Sequence, residues 1–192
     1  MQTKDILVLL TNQWADWEAA YAISGLNSFP QYEVKTIAVD ETPKVSIGGL
    51  RAEIDYAIGN YNNFDNLAML ILPGGFDWQT GRHEKIAGFI KKVMDAKIPV
   101  AAICGATIFM GKHGFLDKIK HTGDDLELFQ GETGYNGQDF YVSSQIIIDN
   151  GIITANETAA LEFARAIFGV LQLDSDEELD SWYDNQKHGM VR

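Results

Sequence analysis

The chain has 192 residues, 46% of them hydrophobic and 22% charged, a globular profile of one-domain length that excludes global disorder. Its 27 acids against 15 bases leave a net charge of −12, which argues against nucleic acid or an anionic membrane as partner, since both require a positive surface. A single cysteine excludes an intrachain disulfide and any multi-cysteine metal site.

Met1 to Asp5 lead into a short apolar run, Ile6 to Leu10. The run is too short for a signal segment or a membrane span, so a cytoplasmic protein is expected. Continuous apolar composition makes that run a strand buried on both faces. Asp16 reads as the N-cap of a helix over Trp17 to Asn27. Tyr32 to Val39 is a strand, Val45 to Ile58 is mixed around the Gly48-Gly49 turn, and Leu67 to Leu72 is a second buried strand ended by Pro73-Gly74-Gly75. Helical periodicity puts Ile86, Phe89, Ile90 and Val93 on one face of Glu84 to Ala96. Val100 to Ile103 is a third buried strand, and Cys104 follows it directly. A helix over Ala106 to Lys112 stops at Gly114. Val142 to Ala155 reads as two strands around the turn Asp149-Asn150-Gly151, and Glu157 to Gln172 as a long helix. Residues 1–173 thus form one domain. The acidic tail, 174–192, carries Leu179, Trp182 and Tyr183 and either docks as a short helix or frays.

Alternating strands and helices predict an α/β fold, a mostly parallel sheet with helices on both faces. Its chemistry belongs at the carboxyl ends of the strands, in the loops after Leu10, Leu72 and Ile103. In the third loop, Ala102-Ile103-Cys104-Gly105-Ala106 has the small residues that a tight strand-to-helix elbow demands. A cysteine there sits at a helix amino end, where the dipole favours thiolate; a buried structural cysteine is the equal alternative. In the second loop, the N–H of Gly75 with that of Gly105 could form an oxyanion hole, although Pro-Gly-Gly is also a plain strand terminator. In the first loop, Glu18 would occupy the first helical turn, as a proton carrier or simply as an acid favoured by the helix amino end. Of the four histidines, His83, His113 and His188 belong elsewhere, and only His121 lies in a stretch able to approach the cysteine. Trp14, Trp17, Phe76 and Trp78 fall in loops near the same edge, to line a pocket or to pack a contact. No phosphate loop, dinucleotide fingerprint or metal-ligand cluster is present, so no cofactor and no metal is expected.

Taken together, Leu72-Pro73-Gly74-Gly75, the Ala-Ile-Cys elbow, Glu18 after the first strand, and Ile153-Thr154-Ala155 before the long final helix resemble the ThiJ/PfpI family, within the class I glutamine amidotransferase-like superfamily. The resemblance runs from about Asp5 to Leu173, with Val45 to Leu50 and Gly114 to Asp117 in the family's usual order. It implies a flavodoxin-like three-layer sandwich, a homodimer, Cys104 as nucleophile, and Glu18 donating a hydrogen bond to its sulfur. It further implies the Gly75 and Gly105 amides around the reacting atom. Family activities include peptidase, deglycase, cofactor-independent glyoxalase, chaperone and oxidation sensor. Two departures narrow them. Peptidase-like members carry histidine immediately after the cysteine, where this chain has Gly105. Glutamine amidotransferases carry a late His-x-Glu pair, where this chain has Asn156-Glu157-Thr158. Other members bring a histidine from the segment after the elbow helix; the candidates in that segment are His121 and Asp124, and the sequence does not choose between them. The resulting expectation is a cysteine-dependent hydrolase or a glyoxalase- or deglycase-type enzyme acting on a small electrophile. A redox sensor or a ligand-binding module using the same pocket is the alternative.

Overall fold

The computed structural model describes residues 3–80 and 83–190. Met1 and Gln2 of the amino-terminal stretch, and Val191 and Arg192 of the tail, lie outside them. In chain order the elements are β1 (Lys4–Leu9), α1 (Ala20–Leu26), β2 (Tyr32–Ala38), β3 (Lys44–Val45), β4 (Arg51–Ala52), β5 (Tyr56–Ala57), β6 (Leu67–Leu72) and α2 (Glu84–Asp95). There follow β7 (Val100–Ile103), α3 (Gly105–Lys112), α4 (Leu126–Gln130), β8 (Ile146–Asp149), β9 (Ile152–Ala155), α5 (Ala160–Val170) and α6 (Asp176–His188).

Seven strands form one sheet in the order β5-β2-β1-β6-β7-β9-β8, and β3 with β4 makes a separate small hairpin. Every pair in the large sheet is parallel except β8 with β9. The alternation of side chains along a strand divides the core in two. Leu7 and Leu9 of β1, Leu70 and Leu72 of β6, and Val100 and Ala102 of β7 join Ile86, Phe89 and Ile90 of α2 and Phe109 of α3 on one face. Their neighbours Ile6 and Val8, Met69 and Ile71, and Ala101 and Ile103 pack with Leu26 of α1 and Phe163 and Ile167 of α5 on the other. From Ile6 in β1, and throughout β6 and β7, the residues are therefore apolar on both faces, which is why continuous runs marked these strands in the sequence. The result is the flavodoxin-like α/β sandwich expected.

Three elements differ from the sequence reading, each because a polar group finds a distant partner. The first helix begins at Ala20 rather than Trp17. Asp16 does not cap it: its Oδ2 accepts from Ser46 Oγ and, at 3.0 Å, from Gly48 N–H, tying this turn to the β3–β4 hairpin. The strand expected from Val142 begins at Ile146, because Val142 N–H bonds His121 O at 2.8 Å and Thr122 Oγ1 donates to Ser144 O at 2.6 Å. The helix expected from Glu157 begins at Ala160, because Asn156 Oδ1 accepts from Thr158 N–H at 3.1 Å and holds a turn. The acidic tail is docked: Ser175 caps α6 by accepting from Glu178 N–H, Leu179 is buried, and Trp182 meets Phe168 of α5 edge-on at 4.9 Å.

Candidate active site

β1, β6 and β7 are neighbours at the centre of the sheet, and the chain leaves β1 for β2 on one side while β6 and β7 lie on the other. Such a reversal opens a crevice at the carboxyl ends of the strands. The loops after all three strands meet there.

Cys104 joins β7 to α3 with φ +54° and ψ −130°, a conformation that is sparsely populated for any residue with a side chain and costs on the order of 1–3 kcal/mol. Its surroundings hold it there. Cys104 N–H donates to Ala155 O at 3.0 Å, and Cys104 O accepts from Thr107 N–H at 2.9 Å and from Thr107 Oγ1 at 2.6 Å. Ala102 and Ala106 are fully buried on either side. At Gly105 an added Cβ would lie 3.0 Å from Gly75 O, so the two loops touch through backbone alone. Small residues at the elbow thus let the loop after β6 close over it.

The loops after β1 and β6 are joined by a two-bond bridge, Ala15 N–H to Gly74 O at 3.0 Å and Phe76 N–H to Gln13 O at 3.2 Å. Gly75 adopts φ +138° within it, and among the described residues its N–H donates to no oxygen. Glu18 lies in the turn just before α1, fully buried, and its Oε2 accepts from Gly74 N–H at 2.6 Å. Its Oε1 is buried with no hydrogen-bond partner among the described residues, and the carboxyl rests against the Cys104 thiol. Gly74 is the hinge of this arrangement: a Cβ there would meet Glu18 Oε2 at 2.6 Å, Cys104 Cβ at 2.7 Å and Sγ at 3.0 Å.

Of the two candidates for a third member, only Asp124 reaches the site. Its carboxylate is within hydrogen-bonding reach of the thiol, and its Oδ1 accepts from Glu157 N–H at 2.7 Å. His121 does not reach it. It is fully buried among Phe129, Tyr135 and Tyr141, Nδ1 donates to Ile119 O at 2.6 Å, and Nε2 accepts from Tyr135 Oη at 2.8 Å. Burial lowers its pKa and favours the neutral ring that this pattern requires. His83 bonds Asp77 O, and His113 packs on Phe109. Among the described residues no histidine lines the cavity. The residue the sequence did not single out is Glu157, whose carboxylate stands with Cys104 Sγ and Asp124 in one group of atoms, all within 4.8 Å of one another. Its signals were its place just after a buried strand and its position in the stretch that stands where glutamine amidotransferases carry His-x-Glu.

The cavity over Cys104 has a volume of about 440 Å³ and includes Gly75 and Gly105 in its wall. Trp17, Phe76 and Trp78 line it, with Ile47 reaching in from the β3–β4 hairpin. Trp14 does not: it is buried beneath the loop in the core on the α1 side. Trp78 is pinned by Nε1–H to Pro73 O at 2.8 Å, whereas Trp17 and Phe76 are exposed at the rim.

The electrostatics overturn one expectation. Gly105 N–H points at the sulfur and favours thiolate, but burial, then the charges of Glu18 and Asp124, push the Cys104 pKa well above the ordinary thiol range. These contributions favour the protonated thiol over the thiolate. Burial also raises Glu18 to about 7, against the pull of Gly74 N–H.

A mostly parallel sheet of this order, with a strained cysteine on the elbow after β7 and a buried glutamate facing it, defines a class of flavodoxin-like cysteine proteins. The DJ-1/PfpI family profile matches residues 4–169 of this chain, and the chain belongs to that family. It is 33% identical over 190 residues to the uncharacterized protease YdeA of Bacillus subtilis, covering 97% of this chain and 92% of that protein. The uncharacterized protease YoaZ of the same organism is also 33% identical, over 198 residues, with the same coverage. The crystal structure of a ThiJ/PfpI family protein from Bacillus anthracis superposes with a TM-score of 0.91 at 31% identity, covering 99% of this chain and 93% of the other.

Proposed function

We propose that the protein is a cysteine-dependent enzyme of hydrolase, glyoxalase or deglycase type acting on a small electrophilic carbonyl compound. The observation that carries this reading is Cys104 held at φ +54° on the cavity floor, between a glycine amide with no oxygen partner among the described residues and two carboxyl groups. Such strain persists where the surroundings over-determine it, and it concentrates at reactive sites.

In the proposed first step Sγ attacks the carbonyl carbon. The S–C bond forms, the C=O π pair moves to oxygen, and the thiol proton passes to Asp124. The Gly75 and Gly105 N–H groups stabilise the charge on oxygen. With a dicarbonyl substrate the adduct is a hemithioacetal. Asp124 returns the thiol proton to the adduct's oxygen; Glu18 then takes the proton from the adduct's carbon and returns it to the adjacent carbon while the hydroxyl proton moves to the neighbouring oxygen, giving an enzyme thioester without any external oxidant. Water then hydrolyses the thioester to a hydroxy acid and restores the thiol. Two relatives carry protease in their names. Amide cleavage is the weaker reading here, because a leaving amine needs a strong general acid such as imidazole, and Gly105 stands where peptidase-like members have histidine. The same reading takes the molecule as a homodimer with a small-molecule substrate.

Turnover of methylglyoxal and of activated esters by the purified protein tests the proposal. Cys104→Ser is expected to reduce it by on the order of a thousandfold or more. Equal rates in the wild type and Cys104→Ser would reject it in favour of a binding module.

A further inference from the structure

The cavity is larger than the chemistry at its floor requires. Attack on a carbonyl uses the sulfur, two backbone amides and the neighbouring carboxyl groups, yet the cavity of about 440 Å³ continues away from them. That volume suits an extended organic ligand better than a three-carbon dicarbonyl.

α3 gives the direction. Gly105, Ile108, Phe109 and Lys112 all line the cavity, and their spacing is one helix face over two turns. From Gly105 to Lys112 that face rises about 10 Å. Trp78 packs on its first turn, where a Cβ at Gly105 would lie 3.6 Å from the indole, and the rings of Trp78 and Phe109 are 4.8 Å apart. Leu128 of α4 adds to the wall. Charge is confined to the two ends. Glu18, Asp124 and Glu157 gather at the sulfur, and Lys112 is paired with Glu132 at 3.0 Å at the other end. Among the described residues the rest of the lining is uncharged.

The mouth of the cavity points the same way. Trp17, Ile47, Phe76 and Leu128 are large, apolar and exposed, and all four line this one cavity although they come from four separate segments. Single exposed apolar residues are ordinary, but a contiguous group of them marks a surface that something apolar covers.

We propose that the substrate is an uncharged medium-chain carbonyl compound, an acyl ester or a 2-oxoaldehyde with a tail of about eight carbons, lying along α3 with its carbonyl at Cys104. The proposal rests on the cysteine-dependent reading above. A chain of about eight bonds, each about 1.5 Å long and foreshortened by its zigzag, spans the face from Gly105 to Lys112. An apolar tail exchanges water for Ile108, Phe109 and Leu128, whereas an anionic tail would pass three carboxyl groups to reach a lysine already engaged by Glu132. Contacts along the tail hold the carbonyl against the sulfur, so a truncated compound meets the same reacting groups but is poorly held. With an ester, the bond from Sγ to the acyl carbon forms, the bond to the alkoxy oxygen breaks, and the alcohol leaves with the thiol proton carried by Asp124. Water then cleaves the thioester to the carboxylic acid and restores the thiol.

The test is a chain-length series on the purified protein, with nitrophenyl esters from acetyl to dodecanoyl and alkylglyoxals from methyl to decyl, each corrected for the rate of Cys104→Ser. From acetyl to octanoyl, kcat/KM should rise by about a hundredfold or more and then fall at dodecanoyl, and the alkylglyoxals should follow the same profile. Leu128→Asp, at an exposed position, should flatten the rise. A series independent of length, a rise that continues through dodecanoyl, or a preference for an ester with a carboxylate at the far end of its tail would each overturn the proposal while leaving the cysteine-dependent reading in place. The wild-type series decides the matter even if the variant fails to fold. If no compound is turned over, that reading fails, and binding still judges the groove: octanamide should slow alkylation of Cys104 by iodoacetamide at concentrations where acetamide does not, and equal effects of the two amides would overturn the proposal.

Discussion

Glu18 ionises against the fold. Its carboxyl titrates near 4.5 in an ordinary setting and near 7 when buried here, so between those values the folded chain holds a proton that the unfolded chain has released. Rising pH therefore favours unfolding across that window, by about 3 kcal/mol in total at about 1.4 kcal/mol per pKa unit. Below pH 4.5 the penalty is absent, and above pH 7 it is complete. Denaturant melts of the wild type and Glu18→Gln from pH 5 to 8 should diverge as pH rises, with the variant gaining, and run parallel above 7. Gly74 makes the complementary case by sterics. Gly74→Ala would drive a methyl group into both Glu18 and Cys104, and overpacking of that kind costs about 1–3 kcal/mol. Both a lower denaturation midpoint and loss of turnover are expected. At this scale the sequence was partly legible. Local neighbours mark Cys104 and Gly105 as a tight elbow, whereas Glu18 and Gly75 stand out only once the family resemblance joins the three loops. The choice between His121 and Asp124 depends on which way an irregular segment turns, and an aromatic pocket decided it by taking the imidazole. The sign of the thiol's pKa shift was misread because a helix amino end is a local feature, whereas the opposing carboxyl groups come from distant loops.

β6 and β7 were read to the residue, since an apolar run buried on both faces can be little else, whereas β1 begins two residues before its apolar run and ends one residue inside it. The starts of α1 and α5 were not, although α2 begins at Glu84 as read. Asp16 and the Asn156–Glu157 turn carry the right residue types for an earlier start, but their polar groups serve the β3–β4 hairpin and Asp124. α6 was left open between docking and fraying because its burial is narrow. It presents Leu179 and Trp182 to α5, while Arg165 reaches Asp176 at 3.1 Å and Asp180 at 2.8 Å. Such exposed ion pairs add little, so the apolar contact must carry the docking. Leu179→Ala should destabilise the protein by about 2 kcal/mol or more, read as a fall in thermal midpoint, whereas Asp180→Asn should leave that midpoint nearly unchanged.

At the scale of the whole molecule, the excess of acid seen in composition is repeated inside the cavity, where among the described residues only Lys112 opposes four carboxyl groups. Composition argued against anionic partners, and the cavity extends that argument to ligands: anionic small molecules should bind poorly there. The bond from Cys104 N–H to Ala155 O prolongs the ladder between β7 and β9 past its last strand residue. Cys104 is thereby stitched to the part of the sheet that opens last, since central strands exchange their amide hydrogens only when the entire fold comes apart. Heat should consequently destroy activity and tertiary structure together. Curves of residual turnover and of near-ultraviolet dichroism against temperature should superimpose, with no interval in which an intact protein has lost its catalyst.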